Sequence, residues 1–361
     1  MKILTVIGAR PQFVKAAAVS REIKKHPEIS EVIVHTGQHF DASMSDIFFD
    51  EMDIPHPDYN LNIHGLTHGA MTGQMLEKLD GIISSEKPDF VLVYGDTNST
   101  LAGALSAAKL HCKVAHVEAG LRSFNMNMPE EINRILVDRI SHTLFCPTET
   151  AVRNLENEGY RNFGIKIVRS GDVMYDAALY YAGKIKTRPS FLEKIGFAGR
   201  KFILATIHRA ENTDDINKLS SIIKALDTVS DSENVILPIH PRTKKILADN
   251  GITPRFTVID PVGYFEMLEL LQNCSAVMTD SGGVQKEAYF FKKQCITLRE
   301  ETEWVELVEN GFNTIVGSDF DKIVSAYKKL SEKNPDFSIQ LYGNGNAAGE
   351  IVTNLLENCG E

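Results

Sequence analysis

The stretch FVLVYGDTNSTLAGALSAAKLHCKVAHVEAG, residues 90–120, shows the alternation of strand-like and helix-like segments that recurs along this chain. Two short apolar runs, FVLVYGD and KVAHVEAG, flank the helix-like segment STLAGALSAAK. Short runs of this kind, rich in β-branched residues and separated by helical sequence, are typical of a buried parallel sheet. The stretch therefore predicts a strand, a crossover helix and a second, parallel strand.

The same alternation continues through most of the chain. Its first half contains the runs KILTVIG, EVIVHTG, FVLVYGD, KVAHVEAG, TLFCPT and KIVRSGD, and its second half KFILATIH, NVILPIHP, FTVIDP, AVMTDSG, QCITLRE and NTIVG. A segment richer in charge and glycine, KIKTRPSFLEKIGFAGRK, interrupts the rhythm. We therefore predict an α/β fold with a doubly wound, Rossmann-like domain over residues 1–172, a linker over 173–200 and a second such domain over 201–344.

Length and composition exclude several classes of protein. At 361 residues the chain exceeds the usual size of one hydrophobic core, and its formal charge of −10 argues against nucleic acid, whose phosphates select basic surfaces. Five cysteines without CxxC spacing indicate neither a disulfide framework nor a zinc site. No segment approaches the roughly 18 apolar residues of a membrane span, and the apolar run at the start is too short for a signal peptide. We expect a soluble, cytoplasmic protein.

Functional residues are expected directly after the strands, because open α/β sheets bind ligands outside the carboxyl ends of their strands. In the first domain these segments are Gly8-Ala9-Arg10, Thr36-Gly37-Gln38-His39, Gly95-Asp96-Thr97-Asn98 and Glu118-Ala119-Gly120. In the second domain they are His208-Arg209, His240-Pro241-Arg242 and Asp280-Ser281-Gly282-Gly283. If the two edges face each other, they form one polar cleft.

The segment DSGGVQKE, residues 280–287, follows a predicted strand and opens a predicted helix. Ser281, Gly282 and Gly283 would let backbone N–H groups approach a phosphate at the helix N-terminus. Glu287 follows one turn later, where a carboxylate could accept hydrogen bonds from ribose hydroxyls. The alternative is an ordinary Ser-Gly-Gly turn followed by a solvated glutamate.

The segment GARPQFVK, residues 8–15, is a second glycine turn into a helix. Arg10 and Lys15 could neutralise a diphosphate, although both are equally well explained as a surface arginine and a helix lysine. No Walker loop is present, and no GxGxxG occurs between a strand and a helix, so P-loop ATP chemistry and NAD both lose support. No cofactor is predicted.

Histidines also follow strands, and their roles stay open. His208 could donate a proton, contact a phosphate or simply cap a helix. His39, His116 and His240 lack an HExxH pattern or a cysteine partner, so no metal site is predicted.

The densest group of acids and bases is VEAGLRSFNMNMPEEINR, residues 117–134. Taken singly, Asp96, Glu118, Glu130 and Glu131 are explained by helix capping or by the helix dipole, and Glu131 fits best as a helix-start residue. Taken together at one sheet edge, they favour proton-transfer chemistry.

Six segments of the chain match a known family. MKILTVIGARPQFVK, VYGDTNST, AHVEAGLRS, MPEEINR, TIHRAEN and DSGGVQKE, in this order, resemble the non-hydrolysing UDP-N-acetylglucosamine 2-epimerases over nearly the whole chain. The resemblance is greatest to the branch acting on UDP-2,3-diacetamido-2,3-dideoxyglucuronate. It implies a GT-B type fold with two domains facing a central cleft, and a C-terminal helix at residues 345–361 crossing back onto the first domain.

The resemblance also implies a reaction and a set of site residues. UDP would leave by anti elimination to give a 2-acetamidoglycal and then re-add to give the manno epimer, as in the synthesis of surface polysaccharide precursors such as lipopolysaccharide O-antigen. The acid/base residues would be Asp96, Glu118, Glu130 and His208. The UDP-sugar contacts would be Arg10, Lys15, Arg134, His240, Ser281, Gly282, Gly283 and Glu287. A homodimer without metal is implied.

Two departures from the family pattern concern substrate choice and regulation. EETEWVE, residues 300–306, has Trp304 where the simple UDP-N-acetylglucosamine enzymes carry an arginine of the nucleotide-sugar site. QHFDASM has Asp41 where a glutamine is usual, which puts allosteric activation by substrate in doubt. Both UDP-N-acetylglucosamine and the diacetamido uronate stay open as substrates. A glycosyltransferase using a UDP-sugar donor and a catalytically silent UDP-sugar sensor are the alternative functions.

Overall fold

The computed structural model describes residues 1–38, 53–332 and 334–358, with the backbone alone at Arg10. These residues form two compact units, one of Met1–Leu179 with Gln340–Glu361 and one of Tyr180–Ile339. The domain limits at residues 172, 200 and 344 stay predictions. His39, Asp41 and Cys359 lie outside the described residues, so the interpretation of the QHFDASM segment is not tested.

The first unit contains a parallel sheet of seven strands in the order β3-β2-β1-β4-β5-β6-β7. The strands are β1 (Lys2–Ile7), β2 (Ser30–His35), β3 (Tyr59–Asn60), β4 (Phe90–Tyr94), β5 (Lys113–Val117), β6 (Thr143–Cys146) and β7 (Lys166–Arg169). All six apolar runs of the first half form strands, which confirms that prediction. The short β3, which pairs with β2, was not predicted because two residues give no apolar run.

Helices cover this sheet. They are α1 (Arg10–Ile23), α2 (His68–Glu86), α3 (Asn98–Lys109), α4 (Pro129–Ile140), α5 (Glu149–Asn157) and α6 (Val173–Ile185), with a 3₁₀ turn at Tyr160–Phe163. The small residues of α3 allow it to approach the sheet closely, since a Cβ added at Gly103 would lie 3.1 Å from side-chain atoms of Val6 and Val93. The boundary between the two units falls inside α6.

The second unit contains a parallel sheet of six strands in the order β10-β9-β8-β11-β12-β13. The strands are β8 (Phe202–Thr206), β9 (Asn234–Pro238), β10 (Thr257–Ile259), β11 (Ala276–Thr279), β12 (Gln294–Thr297) and β13 (Asn313–Ile315). All six apolar runs of the second half form strands. Both sheets have the strand order of a doubly wound α/β fold, and the predicted fold class is confirmed.

The helices of the second unit alternate with these strands. They are α7 (Phe191–Lys194), α8 (Ala210–Thr213), α9 (Ile216–Ser230), α10 (Pro241–Asp249), α11 (Tyr264–Asn273), α12 (Gly282–Phe290), α13 (Val305–Glu309) and α14 (Phe320–Lys328), with a 3₁₀ turn at Leu330–Glu332. In α9 the buried residues Leu219, Ile222, Ile223 and Leu226 recur at helical spacing and face the core.

The last helix, α15 (Ala347–Glu357), belongs to the first unit and packs against α1. The Asp176 carboxylate accepts hydrogen bonds from the backbone N–H groups of Ala347 (3.1 Å) and Ala348 (2.8 Å) and so satisfies the start of this helix. At its other end, Lys113 Nζ donates to the carbonyl of Asn358 at 3.1 Å. Among the described residues, no helix has the length and apolar character needed to cross a membrane.

Candidate functional site

A cavity of about 250 Å³ lies at the carboxyl ends of β1 and β4 in the first unit. Its polar lining consists of Gln12, Lys15, Gln38, His68, Asp96, Thr97, Asn98, Glu130 and Asn133. Three of the predicted site residues, Lys15, Asp96 and Glu130, therefore line one cavity although they are far apart in the sequence.

Lys15 and Glu118 form an ion pair beside this cavity, with each side chain only 11% exposed. Lys15 lies on α1 and Glu118 follows β5, so the first and fifth strands bring the two residues together. Glu118 has φ of +71°, a left-handed conformation that costs a non-glycine residue about 1–2 kcal/mol. Its backbone N–H is held by the carbonyl of Phe145 at 3.1 Å. The fold thus maintains an unfavourable backbone conformation at a predicted acid/base residue.

Arg134 connects two carboxylates at the same edge. Its guanidinium lies 2.6 Å from Asp96 Oδ2 and 2.7 Å from Glu131 Oε2. Glu131 is buried and also accepts from the backbone N–H groups of Ser123 and Phe124, each at 2.9 Å. Burial alone would raise the pKa of Glu131, but hydrogen bonds from the Ser123 N–H and from Arg134 lower it below its ordinary value. Glu131 does start α4, as predicted, and it also fixes Arg134 and the loop before the helix.

Glu130 differs from these paired acids. It lies in the first turn of α4, is exposed and contributes to the cavity wall. Its carboxylate makes no hydrogen bond or ion pair with any residue in the described ranges.

Gln12 orders the first glycine turn, a role that was not predicted from the sequence. Its Oε1 accepts from the N–H groups of Gly8 (2.8 Å) and Ala9 (3.0 Å), and its Nε2 donates to the carbonyl of Tyr94 at 2.7 Å. Glutamine three residues into a helix is a known capping signal and could have revealed this role. The side chain of Arg10, in the same turn, is outside the described part of the structure.

In the second unit, His208 and Asp280 are joined at the ends of β8 and β11. His208 Nδ1 lies 3.2 Å from Asp280 Oδ1, and the Asp280 carboxylate also accepts from the N–H groups of His208 and Arg209 at 3.1 Å. Burial opposes ionisation of Asp280, yet hydrogen bonds from His208 and Asn212 lower its pKa. The His208 side chain is 53% exposed, so Asp280 orients an imidazole that is still accessible to a ligand.

Ser281 begins α12, where its hydroxyl accepts from the Val284 N–H at 3.5 Å. A Cβ added at Gly282 would lie 2.2 Å from Glu303 Oε1, so any larger residue here would require the Glu303 side chain to shift. A Cβ at Gly283 would meet nothing within 4 Å, and Gly283 does not have a positive φ. The described structure therefore gives no internal reason for glycine at position 283.

Trp304, which follows β12, contacts the same turn. Its Nε1 donates to the Gly282 carbonyl at 2.9 Å, and Lys286 Nζ lies 4.2 Å from the centroid of its ring. Glu287 lies farther along α12 and is buried beside Tyr264. Burial, together with the Glu287 carboxylate, raises the pKa of Tyr264 well above its ordinary value.

A second cavity, of about 210 Å³, lies at the carboxyl ends of β8, β9 and β10. Its lining includes Ile207, His208, Pro238, His240, Pro261, Val262, Met267, Ser281 and Val284. His240 also caps α10, since its Nδ1 accepts from the Arg242 N–H at 3.2 Å. The predicted site residues thus divide into two sets. The acid-rich set of the first unit consists of Asp96, Glu118 and Glu130. The set around the start of α12 in the second unit consists of His208, His240, Ser281, Gly282, Gly283 and Glu287.

No group of three or more histidine, cysteine, aspartate or glutamate side chains that could hold a metal ion occurs among residues 1–38, 53–332 and 334–358.

Comparison with known proteins identifies the family. The family model described as UDP-N-acetylglucosamine 2-epimerase matches residues 21–356. A UDP-2,3-diacetamido-2,3-dideoxy-D-glucuronate 2-epimerase of Pseudomonas aeruginosa is 56% identical over 359 residues, which cover 99% of this chain and 100% of the relative. A UDP-N-acetylglucosamine 2-epimerase of Methanocaldococcus jannaschii is 43% identical over 98% of both chains.

Solved structures agree with this assignment. The crystal structure of the Methanocaldococcus jannaschii UDP-GlcNAc 2-epimerase in complex with UDP-GlcNAc and UDP has a TM-score of 0.86 at 41% identity, covering 99% of this chain and 100% of that one. The Neisseria meningitidis UDP-GlcNAc 2-epimerase bound to UDP-GlcNAc has a TM-score of 0.85 at 31% identity, with the same coverage. The chain therefore belongs to the UDP-N-acetylglucosamine 2-epimerase family, and it is an isomerase of the UDP-sugar 2-epimerase type.

Proposed function

We propose that this enzyme inverts C2 of a UDP-2-acetamido sugar by anti elimination and re-addition of UDP, and that its preferred substrate is UDP-2,3-diacetamido-2,3-dideoxyglucuronate. The observation that carries the choice of sugar is the 56% identity, across the whole length, to a relative named for that substrate. Trp304 supports it, because the UDP-N-acetylglucosamine enzymes that the sequence resembles carry arginine at this position. The proposed setting is the synthesis of surface polysaccharide precursors by a homodimer in the cytoplasm.

Elimination is the route that the sequence favours on chemical grounds. The C2 proton of a 2-acetamido sugar has no neighbouring carbonyl to acidify it, so inversion needs either transient oxidation or departure of the C1 substituent. Oxidation by a bound dinucleotide has no support, since the chain lacks the corresponding glycine fingerprint. When a base removes the C2 proton, the C1–O bond breaks and UDP leaves, and a 2-acetamidoglycal forms. UDP then re-adds at C1 while a proton is delivered to the opposite face of C2.

The acid-rich set of the first unit is proposed to handle these protons. Positioned acids and bases contribute about 10²–10⁴-fold each. Glu118 is held by Lys15 and Asp96 by Arg134, while Glu130 is an exposed carboxylate in the wall of the same cavity. The set thus offers acids in different electrostatic environments, which is what a reaction with one proton removal and one delivery requires.

The set around α12 is proposed to bind UDP. The first N–H groups of a helix favour phosphate, and the missing side chain at Gly283 would leave room for a diphosphate next to Ser281 and Gly282. Glu287 would accept from the ribose, and the second cavity, with its proline, valine and methionine walls, would take the uracil ring beside His240. His208, oriented by Asp280, would stabilise or protonate the departing phosphate.

Arg10, Lys15 and Arg134 are proposed as additional contacts to the anionic substrate. Their positive charges would offset the net charge of −10 that otherwise repels a nucleotide sugar.

The test is to incubate the purified protein with each UDP-sugar separately, without NAD, metal or an acceptor, and to follow the anomeric proton signals by NMR. We expect the manno epimer of the diacetamido uronate to appear faster than that of UDP-N-acetylglucosamine. If the protein epimerises neither sugar, the proposal is refuted. UDP release that depends on an added acceptor would instead support a glycosyltransferase.

A further inference from the structure

His116 and Asp138 form a buried pair next to the acid-rich set, and nothing in the proposed reaction uses them. Both side chains are fully buried. His116 Nδ1 lies 2.7 Å from Asp138 Oδ1, and His116 Nε2 lies 2.7 Å from the carbonyl oxygen of Gly95. A carbonyl oxygen can only accept a hydrogen bond, so Nε2 must carry a proton.

The other ring nitrogen of His116, Nδ1, must also carry a proton if Asp138 is ionised. Asp138 Oδ2 accepts from Arg122 at 2.7 Å and from the Gly120 N–H at 3.1 Å. Because both contacts are made by donors and one of them is a guanidinium, they favour the ionised form of the buried Asp138 carboxyl independently of His116. An ionised Asp138 would face a lone pair of a neutral His116 at 2.7 Å, whereas a protonated Nδ1 donates to it.

The charge balance of the cluster points the same way. Arg122 also forms a two-point ion pair with Glu158, with N–O distances of 2.7 and 2.9 Å. The cluster is defined as His116, Arg122, Asp138 and Glu158. Its two carboxylates face one guanidinium, so these four side chains sum to zero charge only when His116 is an imidazolium. The other titratable groups affected by Asp138 are Cys146 and Tyr160, and burial, with Asp138 as a further cause, raises the pKa of both, so neither supplies a charge.

The cluster holds the two turns that carry Asp96 and Glu118. His116 donates to the carbonyl of Gly95, the residue before Asp96, and Asp138 accepts from Gly120, two residues after Glu118. Gly95 has φ of +63°, which glycine adopts readily, whereas Glu118 has φ of +71°, which is unfavourable for a residue with a side chain, so the Glu118 turn in particular needs to be held. We propose that His116 is a protonated positioning residue which, through Asp138, aligns Asp96 and Glu118 for proton transfer. The inference about alignment rests on the proposed function, whereas the protonation state does not.

The direct test is the side-chain ¹⁵N NMR spectrum of the full chain labelled with ¹³C,¹⁵N-histidine, in which the His116 ring is assigned through bonds from its own backbone signals. We expect both ring nitrogens of His116 to show protonated chemical shifts at neutral pH, because Nε2 faces a carbonyl oxygen and Nδ1 faces a carboxylate. His142 is the internal control, because its Nδ1 accepts from the Val114 N–H at 3.1 Å and must therefore be unprotonated. One unprotonated nitrogen on His116 at neutral pH would overturn the inference.

The kinetic test compares His116→Gln with His142→Gln, each checked for native circular dichroism. We expect kcat of His116→Gln to fall about 10- to 100-fold, with the Kd for UDP changed less than about twofold, because small misplacements of catalytic groups have effects of that size. His142→Gln should keep both values. A folded His116→Gln variant with the wild-type kcat would refute the positioning role, and if this variant does not fold, the wild-type spectrum still decides the protonation state. If the wild-type protein epimerises neither sugar, the proposed function fails, and the spectrum remains a separate test.

Discussion

The two units carry the same kind of sheet edge but opposite chemistry. At the edge of the first sheet, Glu118 and Asp96 are each paired with a cation. At the edge of the second sheet, Asp280 is turned inward to orient His208, and the surface offers a helix start, a glycine without a packing reason and an apolar cavity. A doubly wound sheet therefore fixes where a site lies, and the residues directly after its strands determine what that site can do.

We propose that the first edge carries catalysis and the second edge binding, and the largest effect expected from this division concerns Glu118. Glu118→Gln keeps the size of the side chain but removes the charge opposite Lys15. We expect kcat to fall by about 10²–10⁴-fold, the range typical for loss of an acid or base, while UDP affinity stays near the wild-type value. Steady-state kinetics and calorimetric titration with UDP would measure the two quantities. Glu77→Gln, on the exposed face of α2, is the matched control. Equal losses of kcat and UDP affinity in Glu118→Gln would contradict the division of catalysis and binding between the two sheet edges.

The next effect concerns binding at the second edge. Gly283→Val should weaken UDP binding by about tenfold or more, since the added side chain fills space that no described residue occupies but a diphosphate would need. Gly81→Val, at an exposed helix position where a Cβ also meets nothing within 4 Å, makes the same substitution away from the proposed phosphate site and should leave UDP affinity unchanged. Unchanged UDP affinity in a folded Gly283→Val variant would remove the case for a phosphate site here.

A smaller effect is expected on the choice of sugar. Trp304→Arg restores the arginine of the enzymes that the sequence resembles and removes the N–H donor to the Gly282 carbonyl. We expect the ratio of kcat/KM for the diacetamido uronate to kcat/KM for UDP-N-acetylglucosamine to fall about tenfold, or about 1.4 kcal/mol. Trp304→Phe, which keeps an aromatic ring near Lys286, should lower both values equally. If Trp304→Arg also lowers kcat/KM equally for the two sugars, Trp304 only stabilises the turn at Gly282.

The smallest effect concerns pH and stability, and here the two edges should behave alike. The pKa values of Asp138 and Asp280 are lowered because hydrogen bonds and charges outweigh burial. Their contribution to stability is therefore present above the ordinary aspartate pKa of about 3.9 and is lost as pH falls through the lowered values. Urea unfolding at several acidic pH values should show this decline. Asp280→Asn should make the decline shallower, and an unchanged pH dependence would contradict the assignment.

The strands could be predicted from the sequence because parallel strands buried on both faces leave an apolar run that is visible without any partner. The residue types at the strand ends were equally visible. The pairs that connect them were not, since Lys15 and Glu118 are separated by 103 positions, and only the order of the strands brings them together. Glu131 was predicted only to start a helix because its contacts to Ser123 and Arg134 depend on how the preceding loop folds back.

The central claim is that UDP leaves and returns, and isotopic labels test it most directly. The substrate would carry ¹⁸O in the bridge between C1 and the β-phosphate, and the enzyme would act on it in D₂O. Elimination and re-addition predict deuterium at C2 and ¹⁸O redistributed from the bridge to the non-bridging phosphate oxygens, because the released phosphate can rotate. A manno epimer that keeps hydrogen at C2, or keeps all of its ¹⁸O in the bridge, would contradict the account.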